Sequence, residues 1–337
     1  MVLPTRRLFA VLASVLSVPA AAMVRPAAAC DSAACAAAMR YSEGELPGGR
    51  WRLDVSFRYV DLGRRLNGRD SADKVLRPRI DLERGTFEQA THEELNASMT
   101  FLLVEVSRGL TPSLSAVASV PLFRRNEIET LHLDAVLDPD HHGAAGVATW
   151  NSARGLGDAQ LGLRWAAVSN ARHGLAAGLG VKLPTGPSRH AGADGVVDPM
   201  VQTGTGAADL VGLLQYTVKA SRTMLSATAS MQKPTASGSG YQYGDDLVAA
   251  LGVSGPFGPR VVGQAQLKLQ HAGRHRFHGA DVPSTGFTLV QLAQGLRVRV
   301  SPAVSIYGTV LIPAYVRVNE TQLAPSVSLS AGFVKAF

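Results

Sequence analysis

Pro325–Phe337 reads PSVSLSAGFVKAF. Val327, Leu329, Ala331, Phe333 and Phe337 fall on one parity, and Ser326, Ser328, Ser330 and Gly332 on the other. That is the two-residue period of a β-strand with one apolar and one polar face. A terminal Phe is the usual mark of a barrel in the bacterial outer membrane, whose last strand must pair with its first. On this reading the apolar parity faces lipid and the serines face the lumen. Lys335 interrupts the apolar face and is expected to snorkel at the periplasmic interface.

The predicted partner of this strand is Trp51–Val60, WRLDVSFRYV. It alternates most cleanly of all: Trp51, Leu53, Val55, Phe57 and Tyr59 lie opposite Arg52, Asp54, Ser56 and Arg58. Alternation and turn residues mark further strands near 95–107, 114–123, 157–168, 174–184, 207–219, 223–232, 246–253, 260–270, 286–300 and 303–316. With the first and last, these make about twelve. Every second connection is a short turn, and the others are longer polar stretches, notably 61–94, 124–155 and 185–206. Short turns on one side and long loops on the other are the habit of outer-membrane barrels. The expected fold is all-β: a closed antiparallel transmembrane β-barrel of about 12 strands, with short periplasmic turns and long extracellular loops. Lipid offers no partner to backbone amides, so such a sheet must close. Trp51, Tyr59, Trp165, Tyr216, Tyr307, Tyr315 and Phe333 are expected on its outer surface.

The remaining features agree with export. Residues 1–29 carry Arg6 and Arg7, an apolar run from Leu8 to Val18, and two Ala-rich cleavage sites, the pattern of a signal peptide. Residues 30–50 form a periplasmic segment holding Cys30 and Cys35, the only cysteines. In an exported chain a small disulfide loop is the simplest use of that pair, with a metal site or a lipid anchor on Cys30 as alternatives. Residues 51–337 form the barrel. Beyond the leader no apolar run reaches the ~18 residues of a membrane helix. The chain has 33 basic and 26 acidic residues. Three of the basic ones precede Cys30, so the mature balance is only +4. That is too mild to indicate nucleic acid.

The polar strand faces supply the lumen-lining candidates: Arg52, Asp54, Arg58, Arg164, Lys182, Lys219, Lys268, Arg297 and Arg299. Their cationic balance should favour anionic solutes. His132, His141 and His142 beside Asp134, Asp138 and Asp140 in one loop, and His271, His275 and His278 in another, have the ligand chemistry of a zinc or copper site facing outside. Solvated loop residues are the competing reading. Ser237-Gly238-Ser239-Gly240 has loop composition and not that of a nucleophile elbow, so no enzyme and no cofactor are expected.

Three glycine-rich motifs carry a family resemblance: Gly155-Leu-Gly157-Asp158, Gly180-Val-Lys-Leu-Pro-Thr-Gly186, and Gln202-Thr-Gly204-Thr-Gly206 followed by Asp209. With the leader, the cysteine pair and the terminal Phe, the chain resembles the outer-membrane transporters grouped with phenol-degradation (meta-pathway) proteins. The resemblance implies a closed barrel that passes small, often aromatic or apolar, molecules, and it brings no catalytic residues. The expected function is a channel or transporter for small aromatic, apolar or anionic solutes. The alternatives are a non-transporting or metal-binding accessory barrel, or an outer-membrane hydrolase. Expected partners are outer-membrane lipids, the solute, and the barrel-assembly machinery through Phe337.

Overall fold

The structure is a computed structural model that describes residues 46–82, 84–131, 147–192 and 195–337. The signal peptide, Cys30, Cys35, His132, His141 and His142 lie outside the described residues. Among those described, twelve antiparallel strands close a barrel. They are β1 (Trp51–Leu62), β2 (Thr86–Gly109), β3 (Leu114–Leu131), β4 (Ala159–Ser169), β5 (His173–Leu183), β6 (Asp209–Ala220), β7 (Thr223–Pro234), β8 (Asp246–Pro256), β9 (Val261–Ala272), β10 (Phe287–Arg299), β11 (Val304–Val318) and β12 (Ser328–Ala336). Each pairs with its neighbours in sequence, and β12 pairs with β1 to close the ring. The closing register sets Val55 opposite Phe333 and Arg58 opposite Ser330.

The two faces of the sheet invert the habit of a water-soluble protein. Leu161, Leu163, Trp165, Leu179, Leu214, Leu251, Leu296 and Phe333 point outward and are exposed. Ser56, Glu105, Gln160, Arg164, Gln215, Gln232, Lys268, Gln270 and Ser328 point inward and are buried. In water such an apolar exterior would be costly; against acyl chains it costs nothing, and the polar interior keeps its hydrogen-bonding partners. The barrel is therefore a transmembrane one.

At one end the strands join through Leu110–Ser113, Asn170–Arg172, Ser221–Arg222, Phe257–Arg260 and Val300–Ala303. We call this the turn end. The connections at the other, the loop end, are longer and fold inward. Arg64–Asn67 pairs with Asp70–Ser71 and with Thr321–Ala324. Leu66 and Ala324 pack on the inward Phe287, Leu289, Val316 and Val318. Val75 and Leu323 pack on Val60, Leu62, Met99, Phe101 and Phe123. A third cluster joins Ile80 and Leu82 to Tyr241, Tyr243, Phe277 and Val282. Burying a side chain of this kind contributes roughly 1.5–3 kcal/mol, so three clusters suffice to hold the loops as a plug.

Two segments read as loop are partly strand. β2 and β3 run far past residues 95–107 and 114–123 and are flanked there by Leu76–Asp81 and Val147–Leu156. Alternation fails to mark these extensions because neither face meets lipid beyond the membrane, so nothing imposes a polar–apolar period.

Candidate functional site

The lumen is divided. Its loop end is filled by the plug. Toward the turn end, between the inward faces of β6–β11 and of β1 and β12, lies a cavity of about 410 Å³. Strand parity puts the polar residues there: Asp54 and Arg58 on β1, Gln264, Gln266 and Lys268 on β9, and Arg297 on β10 all line it. Gln215, Thr228, Ser230, Ser254, Thr309 and Ser330 add amides and hydroxyls. The wall thus carries three cationic side chains, Arg58, Lys268 and Arg297, and one carboxylate, Asp54.

These groups are positioned, not loose. The Tyr307 hydroxyl donates to Asp54 Oδ1 at 2.9 Å. The Arg297 guanidinium lies 5.6 Å from the centre of the Tyr307 ring, and that of Arg58 lies 5.4 Å from the Phe101 ring. Arg164 on β4 donates to Gln215 Oε1 on β6 at 2.8 Å, over the inner face of β5, and Arg52 interacts with Glu105 and Asp54. Flat cation–aromatic contacts fix a guanidinium while leaving its edge available to an anion. Tyr307→Phe should cost about 1 kcal/mol of stability, the net worth of one buried hydrogen bond, measured as a shifted urea midpoint.

Tyr307 is a correction: it faces the lumen, not lipid. Tyr307 and Tyr315 have the same parity, but Ala314 is extruded as a bulge, since Val290 pairs with Tyr315 and Gln291 with Pro313. One extra residue reverses the parity of everything beyond it. Trp51, Tyr59, Trp165, Tyr216 and Phe333 lie on the outer surface. Gln215, Gln264 and Gln266 also line the cavity, on the inward parity of their strands, and Thr309 joins them through the same bulge that turns Tyr307 inward.

Lys182 does not line the cavity. Its side chain is fully buried, with Nζ 2.9 Å from Asp158 Oδ2, 3.1 Å from Asp209 Oδ2 and 3.0 Å from the Ala207 carbonyl. Asp158 also accepts from the Gly186 N–H at 3.0 Å, from the Thr205 N–H at 2.9 Å and from the Thr205 hydroxyl at 2.7 Å. All three glycine-rich motifs thus meet in one buried knot that ties the 184–208 connection to the wall. The glycines allow the approach: a Cβ on Gly204 would lie 2.2 Å from the Gly186 carbonyl oxygen. Lys219 and Arg299 are exposed at the turn-end mouth.

The described histidines do not converge. His271 lies on β9, its Nδ1 2.9 Å from Thr288 Oγ1. His275 does not face outside; it is buried in the plug, with Nδ1 2.6 Å from the Tyr241 hydroxyl. Burial, with Arg77 adding to it, pushes its pKa down to about 3. His278 is exposed and packs on Phe277. Among the described residues no three His, Cys, Asp or Glu side chains are grouped as a metal site would need.

No protein-family model matches the sequence, and no curated protein matches it either. Solved structures do. The crystal structure of an outer membrane channel from Pseudomonas putida F1 aligns with a TM-score of 0.58 at 12% identity, covering 88% of this chain and 98% of that one. A Pseudomonas aeruginosa FadL homologue (TM-score 0.40, 12% identity, 85% of this chain and 90% of that one) and the translocator domain of the autotransporter NalP from Neisseria meningitidis (0.43, 12%, 88% and 90%) are more distant. What the first likeness establishes is architecture: this chain has the barrel fold found in an outer-membrane channel.

Proposed function

We propose that the protein is an outer-membrane channel for small anionic solutes. The observation that carries this reading is the cavity wall, with Arg58, Lys268 and Arg297 against a single carboxylate. In a narrow lumen with low-dielectric walls, a net positive lining concentrates anions and repels cations. Lys219 and Arg299 at the mouth act in the same direction. On this reading the turns face the periplasm and the plugged loops face outside. Residues 1–29 direct export, and Phe337 engages the assembly machinery.

The test is the reversal potential of the refolded protein in planar bilayers under a KCl gradient. Chloride should permeate better than potassium, and the Arg58→Glu/Lys268→Glu variant should reverse the preference. Cation preference of the parent overturns the anion selectivity; absence of conductance overturns the channel.

A second reading is favoured by the loop end of the lumen, where the inward Met99, Phe101, Leu103, Phe123 and Leu289 make an apolar wall on which the plug packs. It gives passage to aromatic or apolar molecules, in keeping with the resemblance to transporters grouped with phenol-degradation proteins. Liposome swelling with benzoate, a neutral phenol and a sugar of similar size separates the two. Faster entry of benzoate alone supports the anion channel, and faster entry of the phenol supports the second reading.

A further inference from the structure

The charged side chains of the rim at the turn end are all basic. Arg50, Arg108, Arg172, His173, Lys219, Arg222, Arg260, Arg299 and Lys335 lie in or beside the turns and are exposed. The segments 48–53, 107–116, 166–175, 218–225, 254–262, 298–306 and 334–337, which build this rim, contain no Asp or Glu. The inward members face the mouth of the lumen. Three members do not: Arg108 on β2, His173 on β5 and Lys335 on β12 point outward, and the channel reading makes no use of them.

Arg108 and Lys335 lie on the two strands that flank β1. Trp51 stands opposite Arg108 in the register, and Leu53 stands opposite both Lys335 and Val106. Each cation rests on an aromatic ring, Arg108 5.0 Å from the centre of Trp51 and Lys335 4.5 Å from that of Phe337. A cation held over an aromatic ring on the outer face of a transmembrane barrel sits at headgroup depth. From the same place an apolar groove of about 660 Å³ runs over the outer wall. It starts at Trp51, Arg108 and Leu110 and continues over Leu163, Leu179 and Leu210. Between the leucines its floor is formed by the backbone of Gly162 and Gly180.

We propose that this groove is a binding site for an acidic phospholipid of the leaflet at the turn end, its phosphate held by Arg108 and Lys335 and an acyl chain lying over Leu163, Leu179 and Leu210. The inference rests on the reading of the chain as a membrane barrel. The occupant follows from two independent features. The groove is apolar along its length, which excludes a water-soluble anion as its main tenant. It begins at Arg108, with Lys335 outward on the far side of β1, on a rim that carries no acidic side chain, which selects a phosphate-bearing headgroup with net negative charge over a neutral one.

The experiment is native mass spectrometry of the refolded full chain titrated with phosphatidylglycerol, phosphatidylcholine or glycerol phosphate. Phosphatidylglycerol should be retained in preference to phosphatidylcholine, by about fivefold for each basic side chain engaged. Glycerol phosphate, which lacks the acyl chain, should not be retained. Arg108→Gln/Lys335→Gln should lose the preference, and Leu163→Trp, which fills the groove, should lower retention of both lipids. Equal retention of the two lipids by the parent, an unchanged preference in the double variant, or retention of glycerol phosphate overturns the proposal. Heat-modifiable migration in detergent gels, measured on every variant, reports whether the barrel has formed. A parent chain that shows no such migration overturns the barrel reading itself, a result distinct from loss of lipid preference.

Discussion

Lys182→Met is expected to destabilise the folded barrel by about 3–5 kcal/mol, measured by urea unfolding of the refolded protein. The substitution preserves the length and most of the volume of the side chain and removes only its charge. Asp158 and Asp209 would then be two buried carboxylates without their cation, and the second oxygen of Asp209 already has no hydrogen-bond partner among the described residues. Removing one partner of a buried pair costs far more than the pair itself contributes, since the uncompensated charge remains desolvated. The triple variant Lys182→Met/Asp158→Asn/Asp209→Asn should recover part of the loss. By contrast, Lys233→Met should cost less than about 1 kcal/mol, because the Lys233–Asp245 pair is exposed and water already serves both charges. Hydrogen exchange should locate the damage in residues 184–208, which the knot ties to the wall. Equal costs for Lys182→Met and Lys233→Met would show that the buried knot does not hold this connection.

Acid should loosen the plug before it unfolds the barrel. His275 is neutral in the folded chain until about pH 3. In the unfolded chain it takes up its proton near 6.5, the ordinary value for histidine. Between those limits the unfolded state binds one more proton than the folded state, so stability falls as pH falls. The slope is roughly 1.4 kcal/mol per pH unit below about 6.5 if no other group intervenes. The side chain is hemmed in by Tyr241, Tyr243 and Arg77, none of which brings a negative charge to offset an imidazolium. Glu320 works in the same direction. Hydrogen bonds from Arg274 and the Ser284 N–H hold its carboxylate below the usual range, so its contribution exists at neutral pH and is lost on acidification. Solvent exposure keeps that second contribution small. Hydrogen-exchange protection in residues 273–286, taken relative to the intrinsic rate at each pH, should therefore fall from pH 7 to pH 4, with that of the barrel strands unchanged. His275→Gln should flatten the dependence; an identical acid profile in that variant would assign the effect to other groups.

The architecture was legible because lipid imposes a strict period. Every strand that crosses the membrane must alternate, so β1, β4, β9 and β12 announce themselves, as does the pairing of Trp51–Val60 with the C-terminal strand. The same rule found Arg58, Lys268 and Arg297 as inward cations. It failed where its premise fails. The outer parts of β2 and β3 have no lipid-facing side, so their sequence looks like loop. At Ala314 a single extruded residue turned Tyr307 inward, and parity counted from Tyr315 cannot register an insertion that has no residue signature of its own.

The sequence by itself determined a closed, exported, strand-built barrel with a polar interior, because alternation and loop parity are local consequences of one face meeting hydrocarbon. Only the tertiary structure decided which charges serve the lumen. Arg58 and Lys182 look alike in their strands, each a cation on the inward parity. One lines the cavity, and the other is consumed by two carboxylates from distant motifs. That the loops fold back as a plug, that the glycine-rich motifs form a single knot, and that His275 is buried are all contacts between segments far apart in the chain. No local period encodes such contacts, because they are selected by shape and charge only after the barrel has brought the segments together.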